Sequence, residues 1–171
     1  MTVRQLFGIT ATTDVHSNLG RVVPLLDHLH HARRTHLVVD CGNWFEGTGY
    51  HQLGRGAVER QILTRLYDAV APGNHGFANH LHTPELYGIT VCANVTDADG
   101  APVFRTLHRA IVSGRRVAVT GIMGPAAFDA IRVEQRPGLH LADPAHALAH
   151  LRAEPCGSGG PCRRGRSSAG P

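Results

Sequence analysis

Three times in its first 75 residues this chain runs a short apolar stretch into a polar loop of the same chemical kind. Residues 3–13 lead into Asp14-Val15-His16, residues 36–40 into Cys41-Gly42-Asn43, and residues 68–72 into Gly73-Asn74-His75. Runs of this length, rich in β-branched and apolar residues, predict buried strands. Between them the apolar residues recur at helical spacing. Leu19, Val22, Val23, Leu26 and Leu29 predict a helix that starts near Val22, because Pro24 fits a first turn. Val58, Ile62, Leu63 and Leu66 predict a second helix over 57–67. Strands alternating with helices mean an α/β architecture with a largely parallel sheet. Ligands of such sheets bind beyond the carboxyl ends of the strands, where all three polar loops then gather.

The remaining elements are less constrained. Five glycines over 41–56 predict a loop. Residues 89–95 read as a strand, and 101–123 as two or three strands broken at the turn dipeptide Ser113-Gly114. Asp143-Pro144 predicts a helix with an N-cap and a proline in its first turn, running to about residue 154. Beyond it, 155–171 is Gly, Pro, Ser, Arg and Cys with no large apolar side chain, a composition expected to be disordered. The expected organisation is one domain over 1–154 and a basic tail over 155–171.

A carboxylate, imidazoles and amide oxygens converging at one sheet end suit a divalent metal of intermediate hardness. Each motif alone is weak. Asp-x-His is common, Gly-Asn-His also makes a plain turn, and Asp40 at a strand end also serves as a turn cap. Order, spacing and strand context make the combination specific.

That combination resembles the calcineurin-like metallophosphoesterases, in their 5′-nucleotidase and cyclic-phosphodiesterase branch. Thr13-Asp14-Val15-His16 matches the family's Asp-x-His motif. Asp40-Cys41-Gly42-Asn43-Trp44-Phe45-Glu46-Gly47 matches its Gly-Asp-x-x-x-Gly motif with one change, and Gly73-Asn74-His75 matches its Gly-Asn-His motif. Val91-Cys92-Ala93-Asn94 and 116–122 resemble two further strands of the branch. The resemblance implies a partial αββα sandwich whose C-terminal part is missing, with two divalent ions (Mn, Fe or Zn). Asp14 and His16 would hold the first ion and Asn74 the second. Asn43 would stand between them, and His75 beside the leaving-group oxygen as proton donor or charge stabiliser. Paired ions about 3.5–4 Å apart would activate a bridging hydroxide against a small phosphorylated substrate such as a nucleotide.

Two departures from the family pattern set the alternative. The bridging position holds Asn43, a neutral amide, where the family has a carboxylate. The family's two later His-containing loops have no match in the 171 residues. His140, His146 and His150 do not stand at those positions; His146 and His150 are expected to lie on one solvated helix face. A truncated or degenerate homologue without turnover, with a reading-frame change near residue 154, is therefore the second reading. Trp44 and Phe45 either stack on a base or pack the loop.

Composition excludes some classes. The chain has no lysine, so a Walker-type phosphate loop is ruled out. The formal net charge is +4, and three of those charges fall in 152–171, where Arg152, Arg163, Arg164 and Arg166 face only Glu154. The body carries no nucleic-acid footprint. Cys156 and Cys162 have no second pair to complete a zinc ribbon. No apolar run is long enough to span a membrane, and no basic segment followed by an apolar core opens the sequence, so a cytoplasmic location is expected.

Overall fold

The structure is a computed structural model that describes residues 4–153. The expected tail over 155–171, with Cys156 and Cys162, lies outside the described residues.

A three-stranded parallel sheet organises the site. β1 (Gly8–Thr12), β2 (His36–Asp40) and β3 (Ala69–Val70) lie in that order. Thr12 pairs with Asp40, and Asp40 with Val70, so the three strands end level with one another. β2 is central and apolar on both faces, as a parallel inner strand must be. Val38 points into one cluster with Leu29, Trp44, Phe45, Leu63 and Tyr67. Leu37 and Val39 point into the opposite one, with Leu6, Ala69, Val91 and Val112. α1 (Val23–Ala32) and α3 (Ala57–Leu66) cover the first face, contributing Leu29 and Leu63. The antiparallel hairpin of β5 (His108–Val112) and β6 (Arg115–Val119) covers the second through Ala110, Val117 and Val119.

Several predicted boundaries shift. The first strand is shorter than 3–13, though Leu6 adds a parallel bridge to Val112. The glycine-rich stretch 41–56 is not all loop: α2 (Gly49–Gly54) forms within it. Its His51 lies 3.5 Å from the buried Glu59 of α3, a tertiary contact that local composition does not encode. The predicted strand over 89–95 is reduced to single parallel bridges at Thr90 and Val91, followed by β4 (Val95–Thr96). The backbone still bonds on both sides, Val91 N–H to the Val70 carbonyl and Cys92 N–H to the Arg105 carbonyl, both at 2.9 Å, and the buried Asn94 side chain accepts from Met123 N–H at 2.9 Å and donates to the Met123 and Ala142 carbonyls. Two short helices are additional, α4 (Phe77–His82) and α5 (Pro125–Asp129). β7 (His140–Leu141) pairs antiparallel with β4. α6 (Pro144–Ala153) starts where expected, with Asp143 accepting the His146 N–H at 2.7 Å. His146 and His150 are exposed on it. No helix of the described residues is long and apolar enough to cross a membrane.

Candidate metal centre

The loops after β1 and β2 continue the pairing of their strands. Cys41 N–H donates to the Thr12 carbonyl at 2.8 Å, Asp14 N–H to Gly42 at 3.0 Å, His16 N–H to Asn43 at 2.9 Å and Ser17 N–H to Trp44 at 2.8 Å. The two loops are thereby one ribbon. Five non-glycine residues on it adopt left-handed backbone: Asp14, His16, Ser17, Asn43 and Glu46, with φ from 49° to 67°. Such conformations cost free energy and concentrate where structure serves a site. The third loop leans on the ribbon. Asn43 Oδ1 accepts the His75 N–H at 3.2 Å. Gly73 is required there, since a Cβ would fall 1.9 Å from Asn43 Oδ1 and 2.3 Å from its nitrogen.

This brings four of the five expected site residues into one group. Asp14 Oδ1 is 3.6 Å from His16 Nε2 and accepts from Asn43 Nδ2 at 2.9 Å. The rings of His16 and His75 meet edge to face, 4.7 Å between centroids. Asn74 and Asn43 together line a cleft of about 130 Å³ with Cys41, Gly73, Cys92 and Met123. Asp14 is exposed, and hydrogen bonds from Asn43 and then Thr13 hold its carboxyl below the usual range. It is an anion at neutral pH.

Asp40 is the opposite case. One of its oxygens accepts from Thr12 Oγ1 and the other from Gly42 N–H at 2.8 Å. It is 4% exposed, and burial pushes its pKa up to about 7. The network continues inward: Tyr67 hydroxyl lies 2.9 Å from Thr12 Oγ1 and accepts from Trp44 Nε1 at 3.1 Å. Asp40 therefore caps the strand end. Trp44 and Phe45 are buried, which decides between the two readings of these rings: they pack the loop.

Two ligand atoms on one ion at bonds of about 2.1 Å stand roughly 3.0–3.4 Å apart for angles near 90–109°. The 3.6 Å between Asp14 Oδ1 and His16 Nε2 fits one shared ion after a small adjustment. The second position does not fit in the same way. Asn43 presents its nitrogen to Asp14, and its oxygen is taken by His75 N–H. Turning the amide over would break both bonds. Among the described residues, no three His, Cys, Asp or Glu side chains converge on a common point. They offer one ion two good donors and a second ion only amide oxygens.

Sequence reasoning missed Glu46. It lies within the second motif, and its Oε2 is 3.5 Å from His75 Nδ1. The only signal was a carboxylate beside a glycine inside a metal-type loop.

No family model and no curated protein matches the sequence. Solved structures do. The 5′-nucleotidase precursor of Thermus thermophilus is similar at 26% identity and a TM-score of 0.60, over 85% of this chain and 33% of that one. The NAD nucleotidase of Haemophilus influenzae is similar at 16% identity and 0.60, over 82% of this chain and 34% of that one. A calcineurin-like phosphoesterase of Bacillus subtilis is similar at 22% identity and 0.54, over 82% and 55%. The chain spans about a third of the length of the first two. It is built on the fold of the calcineurin-like phosphoesterases and 5′-nucleotidases, of which it forms an N-terminal portion.

Proposed function

We propose that residues 4–153 carry the first half of the active site of a metal-dependent phosphoester hydrolase, acting on a nucleotide or a similar small phosphomonoester. The observation that supports this reading is the meeting of Asp14, His16, Asn43 and His75 from three loops at one end of a parallel sheet. Asp14 and His16 would hold one divalent ion. When bound, the ion supplies Lewis acidity toward a phosphoryl oxygen. Asp14 brings the negative charge that attracts it. His75 is exposed at the mouth of the group and would donate a proton to the departing ester oxygen, or stabilise its charge. Asn74 is the ligand proposed for a second ion, in the cleft it lines with Asn43.

A second reading, a homologue without turnover, has its own support. The Asn43 amide donates to the carboxylate that a metal would otherwise neutralise. The experiment is phosphate release from nucleoside monophosphates by the purified 171-residue chain in Mn²⁺, Zn²⁺ or Fe²⁺, beside binding of the same ions. Weak binding with very slow turnover is expected of a half-built site. Binding without turnover favours the second reading. Absence of both contradicts the first reading, and robust metal-dependent turnover contradicts the second.

A further inference from the structure

One buried acid–base pair takes no part in the metal centre. His51 Nδ1 of α2 lies 3.5 Å from Glu59 Oε1 of α3. Both atoms are shut off from water, and neither has a hydrogen bond among the described residues. Glu59 is 1% exposed. The separation is long for a hydrogen bond and within the range of an ion pair. A carboxylate at that depth is strongly destabilised without a countercharge. The contact is therefore favourable only while the pair keeps a proton.

α2 has few other fastenings. None of its six residues is buried, and Leu53 is 90% exposed. Left-handed backbone brackets it, with Gly47 at φ +93° before it and Arg55 and Gly56 at φ +47° and +73° after it. Thr48, just ahead of α2, donates to the Ser17 carbonyl at 2.7 Å. The Tyr50 ring stands beside Gly20, and the His51 ring meets Phe45 edge to face at 5.9 Å. Phe45 leads back to the site: a Cβ on Gly76, next to His75, would fall 2.2 Å from its Cβ.

The charged groups around α2 do not replace this proton. On the α3 side, Arg60 donates to the Arg55 carbonyl at 2.7 Å. Arg55 is exposed at the junction, and Arg21 is exposed in the turn beside Tyr50. Glu46, in the loop before α2, faces His75. His80 of α4 touches the other edge of Phe45, and burial lowers its pKa to about 3, so it stays neutral.

We infer that His51 and Glu59 form a proton-operated latch for α2. While the pair holds one proton, α2 is shut on α3 and on Phe45. On opening, the imidazolium gives its proton to water and the freed carboxylate is solvated as α2 swings on the residues that flank it. The shut form binds a proton that the open form releases, so opening is favoured as pH rises. The latch stands on this pair alone and on no reading of the metal centre.

The test is hydrogen–deuterium exchange of the 171-residue chain from pH 6 to 9, corrected for the intrinsic pH dependence of exchange. Residues 49–56 report opening, and α1 is the internal reference. Protection of 49–56 relative to α1 should fall by about tenfold or more across that range, the effect of one pKa unit between the two forms. Glu59→Gln keeps the shape and removes the acid, and should hold the change within about threefold. His51→Gln should do the same from the less buried side of the pair. If Glu59→Gln unfolds the chain, α1 loses protection as well, and His51→Gln then carries the test. A parent ratio that changes by less than about threefold overturns the latch, as does a decline that survives in either variant with α1 still protected.

Discussion

Asp14 and Asp40 sit at the ends of neighbouring strands, and the fold treats them oppositely. Asp14 is exposed in a left-handed turn, with donors from Asn43 and Thr13 that keep it ionised. Asp40 is buried under the sheet end, and its oxygens are consumed by Thr12 and Gly42. One carboxylate is available to a cation and the other holds the ribbon that presents it. Burial and partner geometry, more than residue type, decide which acid is chemical and which is structural.

Both acids are positioned by the seam where the second and third loops meet, so breaking that seam should have the largest effect. Gly73→Ala would place a Cβ within 1.9 Å of Asn43 Oδ1, against backbone as well as side chain. Overpacking of this kind costs about 1–3 kcal/mol and sometimes more. Urea denaturation should show a loss at or above the top of that range. A loss below about 0.5 kcal/mol, within the range of an ordinary surface change, would mean that the seam is loose.

The next effect separates the two acids by pH. The folded-state pKa of Asp40 is raised to about 7, above its unfolded value. The native state then binds the extra proton between about pH 4 and 7, so stability from this group is present below pH 4 and falls as pH rises through 7. Linkage bounds the change at about 4 kcal/mol, since one pKa unit is about 1.4 kcal/mol. Thermal denaturation across that window should show the decline, and Asp40→Asn should flatten it. Asp14, with its lowered pKa, contributes in the opposite sense: stability present at neutral pH and lost as the solution is acidified below its unfolded pKa. An identical pH profile in Asp40→Asn would mean that Asp40 is ionised throughout.

A smaller effect is expected at Asn43. Asn43→Asp sets a second carboxylate beside Asp14, where a hydrogen bond of 2.9 Å now stands. Without metal the two anions repel, and the exposed site should lose about 1 kcal/mol at neutral pH. With Mn²⁺ the sign reverses, and affinity should rise by about tenfold or more, with stoichiometry moving toward two. Unchanged affinity would place Asn43 outside the metal region.

The three strands, the loops that follow them and the start of α6 were legible because each is written locally: an apolar run, then a polar turn, or an acid before a proline. α2 was not, since this six-residue helix inside a glycine-rich stretch packs against another element, α3, where His51 lies 3.5 Å from the buried Glu59. The strand expected over 89–95 is present only as isolated bridges to Val70 and Arg105, partners whose positions local composition does not encode. The site followed the same rule. Motif order named Asp14, His16, Asn43, Asn74 and His75. Which way the Asn43 amide points, and that Glu46 reaches His75, depend on left-handed backbone at residues whose identity does not demand it.

Calorimetric titration of Mn²⁺ into the 171-residue chain, its Asp14→Ala variant and its Asp40→Asn variant tests the division between the two acids most directly. The parent chain should bind weakly, Asp14→Ala should lose most of that binding, and Asp40→Asn should retain it within about threefold, a difference under 1 kcal/mol. Binding that survives Asp14→Ala and disappears in Asp40→Asn would contradict the account and make the buried acid the ligand.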